Sequence, residues 1–211
     1  MRYQTKYSVL AVALLCMSTT FVNAQDELPV TADEFVYCET CHGVQLMGNP
    51  VLKAPRLSGM DAWYIEQQMQ SFKNGWRGTH EGDLIGMEMQ PMAAALSDEQ
   101  ISESAEYVSM TRSELPLITV SGDAAKGRAI YRNCGACHGR SADGVEALGG
   151  PELTASNDWY LVTQLEKFKA GSLGNLPGDT YGMQMRTAAQ VLTGDDAIMD
   201  VVSYISTLRE E

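Results

Sequence analysis

Cys38-Glu-Thr-Cys41-His42-Gly43 and Cys134-Gly-Ala-Cys137-His138-Gly139 each place two thiols three positions apart with an imidazole directly after the second. That is the attachment sequence for a c-type haem. Two thiols so spaced at a helix end reach the two vinyl groups on one edge of a porphyrin, and the adjacent imidazole then lies under the iron. Cys38, Cys41, Cys134 and Cys137 are the expected covalent anchors of two haem c groups, with His42 and His138 as iron ligands. Competing chemistries fit less well. A thioredoxin-like dithiol needs a βαβ setting, and the chain reads as helical. A zinc site needs all four cysteines to converge, but 92 residues separate the pairs, against about 15–20 in paired-knuckle sites. Disulfides within each pair leave the repeated histidine unexplained.

Each iron needs a further ligand. Histidine is nearly excluded, because beyond His42 and His138 the chain has only His80, whose counterpart in the second half is Leu176. Methionine is abundant, and its thioether binds iron while raising the potential. Met87 and Met89 recur as Met183 and Met185, whereas Met92 faces Ala188. The repeat does not choose between the two methionines of each pair.

The elements that position these residues also come in two copies. A shift of 96 positions lays Cys38–Gly43 on Cys134–Gly139, Pro55 and Leu57 on Pro151 and Leu153, and Trp63-Tyr64 on Trp159-Tyr160. It also lays Gln68, Phe72-Lys73 and Gly75 on Gln164, Phe168-Lys169 and Gly171. One further residue brings Tyr107 and Arg112 onto Tyr204 and Arg209. Rare residues held in one register mean internal duplication. Ala32 to Cys38 and Asp123 to Cys134 read as helices leading into the cysteine motifs. A second helix runs from an Asp61 cap to Gly75, and its copy from Asn157 or Asp158 to Gly171, with apolar residues at helical spacing. The last helix of the first half opens on the capping box Ser97-Asp-Glu-Gln, and its copy carries Ile198, Val201, Val202, Ile205 and Leu208. Residues 113–121 are the expected linker between domains at 25–112 and 122–211, too apolar for a free tether. Each half is small, so a buried macrocycle is expected to supply much of its core.

Residues 1–24 read as a cleaved signal peptide, with Arg2 and Lys6 before an apolar run and Val22-Asn23-Ala24 at the cleavage point. The run of about 14 residues is short of the roughly 20 that span a bilayer. Cys16 falls within it, behind the bulky Leu15, and is expected to be lost on maturation. Without the leader, 13 basic side chains face 27 acidic ones, a formal charge of −14. Such acidity argues against nucleic acid as a partner and favours solubility and steering of basic partners.

The chain resembles the class-I cytochromes c, and over nearly its whole mature length the two-domain cytochrome c4 family. The resemblance rests on Cys-x-x-Cys-His-Gly, the Pro-x-Leu that follows, the Tyr-x-x-x-Gln-x-x-x-Phe-Lys-x-Gly stretch, and Met-x-x-x-Ala-x-x-Leu before the last helix. It implies an all-α fold of two tandem class-I cytochrome c domains, each wrapped round one haem. It also implies Met89 and Met185 as the second iron ligands, and the Pro55 and Pro151 carbonyls as acceptors from the proximal imidazoles. The first half departs in lacking the Gly127-x-x-x-Tyr131 pattern of the second. Trp63, Tyr64, Trp159 and Tyr160 either reach the haem propionates or pack in the core, and Arg77, for which pairing with a propionate is the alternative, is unmatched at Leu173 and is expected at the surface. His/Met ligation leaves no open position for substrate, so the function implied is electron transfer. The expected partners are a quinol-oxidising complex or dehydrogenase as donor and a terminal oxidase as acceptor, with peripheral association to membrane redox complexes. A dihaem peroxidase or thiosulfate-oxidising enzyme, with His80 as the spare ligand, is the alternative, and a fixed subunit of a larger redox complex is another.

Overall fold

The computed structural model describes residues 35–194 and 196–210. The expected leader, its Cys16 and the helix start at Ala32 lie outside the described residues. The first half contains α1 (Val36–His42), α2 (Ala62–Lys73), α3 (Gly86–Ala94) and α4 (Asp98–Met110). The second contains α5 (Ala124–His138), α6 (Asp158–Ala170), α7 (Thr180–Ala189) and α8 (Ala197–Thr207). Among the described residues no strand forms. Two isolated bridges, Asn49 with Ala54 and Val145 with Gly150, sit 96 positions apart and repeat one loop.

Local chemistry sets the helix ends. Asp123 opens α5 by accepting from Ala125 and Lys126 N–H at 3.0 and 3.1 Å. The Ser97 capping box forms in both directions: Gln100 N–H reaches Ser97 Oγ at 3.2 Å, and Ser97 N–H reaches Gln100 Oε1 at 2.9 Å. Asp61 and Asn157 stand at the expected cap positions, but neither side chain caps its helix. Asn157 Oδ1 instead accepts the Arg56 N–H of the first half at 2.6 Å. A tertiary partner has taken the oxygen that local sequence assigned to a cap.

In the second half α5 crosses α8 so closely that a Cβ on Gly127 would collide with the Asp200 backbone. The rings of Tyr131 and Tyr204 meet at 5.4 Å beside that crossing. Val201, Val202 and Ile205 of α8 are fully buried in a core shared with Leu161, Ala189 and Leu192. The first half substitutes Phe35, in the register of Tyr131, stacked 4.4 Å from Tyr107. Its smaller core holds Leu46, Met60, Ile65, Ala105 and Val108. The missing tyrosine pattern is therefore replaced by another aromatic on the same partner.

The described residues form one compact unit, and residues 113–121 lie bound along it. Arg56, almost fully buried, donates to the carbonyls of Ser113 and Ala155 at 3.2 Å each and of Ser58 at 2.5 Å. Arg209 reaches the Pro116 carbonyl at 2.9 Å. The buried carboxylate of Asp158 accepts from Val120 N–H and Thr119 Oγ1, at 2.7 Å each, and from Thr119 N–H. No helix among the described residues is long and apolar enough to cross a membrane.

Candidate functional site

His42 and His138 are the last residues of α1 and α5, and both are buried. His42 Nδ1 lies 2.7 Å from the Pro55 carbonyl, and His138 Nδ1 lies 2.9 Å from that of Pro151. A carbonyl only accepts, so Nδ1 carries the proton and the lone pair sits on Nε2, the tautomer a metal ligand requires. Burial lowers both imidazole pKa values, opposed in part by the carbonyl contact. The neutral, ligating form is thereby favoured. No disulfide joins the four motif cysteines; Cys38 and Cys134 are half-buried and Cys41 and Cys137 exposed. Burial pushes the Cys38 and Cys134 thiols up, against a lowering backbone hydrogen bond.

Each histidine opens on a cavity. That of the second half has a volume of about 440 Å³ and is lined by Cys134, Cys137, His138, Pro151 and Met185, with Leu161, Leu165 and Phe168 among its apolar walls. The first is narrower, about 100 Å³, and is lined by His42, Pro55, Ile65, Phe72 and Met89. The larger falls within the roughly 300–1,000 Å³ of small-molecule and cofactor sites. The smaller offers a haem a buried imidazole of fixed tautomer and the Met89 thioether; Cys38 and Cys41 precede that imidazole on α1 but do not line the cavity.

Helix geometry separates the methionines that sequence spacing left together. α3 and α7 had no periodic apolar stripe to announce them, yet both form, and α3 does so with Pro91 inside it. Residues two apart on a helix point about 200° away from one another. Met89 and Met185 accordingly line the cavities, whereas Met87 and Met183 are 42% and 41% exposed. Met92 is exposed as well, and His80 lines neither cavity.

The aromatic pairs divide by role. Tyr64 and Tyr160 line both cavities, while Trp63 and Trp159 line neither and pack edge-on to their tyrosine neighbours. Gln68 and Gln164 join the tyrosines in the wall common to both cavities. Sequence reading missed that role, although the repeat marks both glutamines. Arg77 is a correction: it stands in this common wall and not on the outer surface. Its guanidinium donates to Gln164 Oε1 at 2.9 Å, to Tyr160 Oη at 3.4 Å and to Gln68 Oε1, and it lies 4.6 Å over the Phe72 ring. Its Nε is buried without a partner. Burial alone would lower its pKa, but Tyr160, Tyr64 and Asp83 outweigh that and raise it. The expectation failed because unmatched position in the repeat says nothing about the surface between the halves. Among the described residues no cluster of three or more His, Cys, Asp and Glu side chains is arranged to hold a metal ion.

Comparison with known proteins agrees with this chemistry. The cytochrome c family profile matches residues 35–112 and again 124–209. The "Thiosulfate dehydrogenase electron acceptor" of Stutzerimonas stutzeri is 33% identical over 186 residues, covering 82% of this chain and 80% of that protein. Cytochrome c4 of Pseudomonas aeruginosa is 30% identical over 182 residues, covering 82% and 84%. The solved structure of Acidithiobacillus ferrooxidans cytochrome c4 superposes with a TM-score of 0.65 at 25% identity, covering 81% of this chain and 98% of that one. Two Cys-x-x-Cys-His motifs on two matching domains therefore mean two covalent haem c groups. The chain belongs to the cytochrome c family, as a dihaem electron-transfer protein similar over most of its length to cytochrome c4.

Proposed function

We propose that the chain is a periplasmic shuttle that takes electrons from a quinol-oxidising complex or a dehydrogenase and delivers them to a terminal oxidase. In this reading Cys38 and Cys41 anchor the first haem, with His42 and Met89 as iron ligands. Cys134 and Cys137 anchor the second, with His138 and Met185. The carrying observation is that His138 and Met185 line one cavity and His42 lines the other with Met89, Met60 and Met69, of which only Met89 is matched by a methionine in the repeat, while the remaining histidine, His80, lines neither. When bound, each haem supplies a one-electron Fe(III)/Fe(II) couple. The protein would tune that couple by fixing each imidazole through a proline carbonyl, by offering Met89 and Met185 as further iron ligands, and by walling the sites with apolar side chains. Such control tunes potential instead of opening a substrate position. Export by cleavage after residue 24, and domains at 25–112 and 122–211 joined by 113–121, complete the proposal.

The relative named as an electron acceptor of thiosulfate dehydrogenase supports an enzyme of that kind among the donors. Peroxidase or thiosulfate-oxidising activity in the chain itself is disfavoured by the second ligand available in each cavity. The acidic charge of the chain suits brief, salt-dependent contact with basic partner faces. Stopped-flow reduction and reoxidation of the purified holoprotein against candidate donors and oxidases tests the proposal. Fast, salt-sensitive transfer in both directions supports it. Turnover of peroxide or thiosulfate by the isolated protein, lost in His80→Ala, would sink it. Stable capture in a solubilised membrane complex, with no exchange into solution, would replace the shuttle by a fixed subunit.

A further inference from the structure

We infer that Lys167, a residue of the second half, is a positioning residue for the first half's haem site; the inference rests on the proposed Met89 ligation. Asp83 is completely buried. Its Oδ1 pairs with Lys167 Nζ at 2.5 Å, and the lysine side chain is only 15% exposed. Asp83 Oδ2 accepts the Gly78 N–H at 3.0 Å, and the Asp83 carbonyl accepts the Met87 N–H at 3.0 Å. The carboxylate occupies the space a Cβ on Gly86, the first residue of α3, would need. Asp83 thus ties the preceding loop to the first turn of the helix that carries Met89. Asp83 and Lys167 both line the cavity that holds His42 and Met89.

The second half rebuilds this frame without the cation. Gly174, Asp179 and Gly182 repeat Gly78, Asp83 and Gly86, and Asp179 Oδ1 accepts the Gly182 N–H at 2.9 Å. In the register of Lys167 the first half has Ser71, whose hydroxyl is turned onto the Gln67 carbonyl at 2.9 Å. A carboxylate as fully buried as Asp83 is strongly disfavoured when the cation paired with it is removed; Arg77 also feels the Asp83 charge, but its guanidinium is hydrogen-bonded to Gln68, Gln164 and Tyr160 instead. Loss of Lys167 therefore leaves the buried Asp83 carboxylate without its paired cation and displaces it, which frees the first turn of α3. The second site has no such dependence.

The test is the methionine-to-iron charge-transfer absorption of oxidised holoprotein carrying both haems. Met89→Ala defines the share that belongs to the first site. Lys167→Met is expected to lose that same share and to keep the rest, with a lowered potential at the first haem alone. Lys167→Arg keeps the absorption, and the double variant Asp83→Asn/Lys167→Met, with both charges removed, regains it. Full absorption in Lys167→Met, equal loss from both sites, or no recovery in the double variant overturns the inference while leaving Met89 ligation intact. Undiminished absorption in Met89→Ala overturns both.

Discussion

Asp158→Ala is the perturbation whose cost can be worked most closely from the structure. The carboxylate is fully buried and accepts from Val120 N–H, Thr119 Oγ1 and Thr119 N–H of the linker and from its own helix at Trp159 N–H, 2.7 Å away. Hydrogen bonds to a charged group are worth about 1.5–3 kcal/mol, and a buried donor left without an acceptor costs about 1–3 kcal/mol. Thr119 is exposed and its donors can turn to water, whereas Val120 is buried. The net loss is then about 3 kcal/mol, a fall in Tm of roughly 6–12 °C for a chain of this size. Helix α6 itself should survive, because Ala62 occupies the same register at the start of α2. The loss also has a pH signature. Burial on its own would raise the Asp158 pKa, but the donors from Thr119, Val120 and Trp159 outweigh it and hold the carboxyl below its ordinary value. A depressed folded-state pKa gives stability that is complete above the unfolded value of about 3.9 and is lost as pH falls through the folded one. Calorimetry of both proteins should show a Tm gap that is constant above about pH 5 and closes on further acidification. A gap below about 2 °C at neutral pH, or one that persists undiminished at low pH, would refute the clamp.

Two further substitutions probe the packing. Gly127→Ala should destabilise by about 2 kcal/mol in denaturant unfolding even though alanine is the better helix former, since its Cβ meets the Asp200 backbone; a stabilised variant would show that the α5–α8 crossing is looser than described. Arg56→Met should cost about 2–4 kcal/mol, because the buried guanidinium supplies donors to Ser58, Ser113 and Ala155 carbonyls, and limited proteolysis should then cut at residues 113–121; unchanged resistance there would show that the linker does not depend on it.

The duplication made most of the helices and both haem motifs legible, because a 96-residue register ties rare residues to one another and apolar spacing marks α2, α6 and α8. The choice between neighbouring methionines was not legible from spacing. It depends on which face of α3 and α7 meets the cavity, and those helices carry methionine, alanine and polar residues without a clear stripe. Arg77, Lys167, Asn157 and Asp158 were misjudged or passed over for a common reason. Their partners lie 38 to 87 positions away, or 101 for the Asn157 contact, and only the packing of one half on the other, or of the linker on its domain, brings them together. Phe35 was visible in the sequence, but a search for identical residues overlooks an aromatic that replaces a tyrosine.

The ligand set is tested most directly by the near-infrared charge-transfer absorption of the oxidised holoprotein, counted against its haem content. Two haems per chain are predicted, both contributing to the absorption, with Met89→Ala and Met185→Ala each removing one contribution. An undiminished absorption in either variant, with the contribution lost instead in Met87→Ala or Met183→Ala, would contradict the proposed sites.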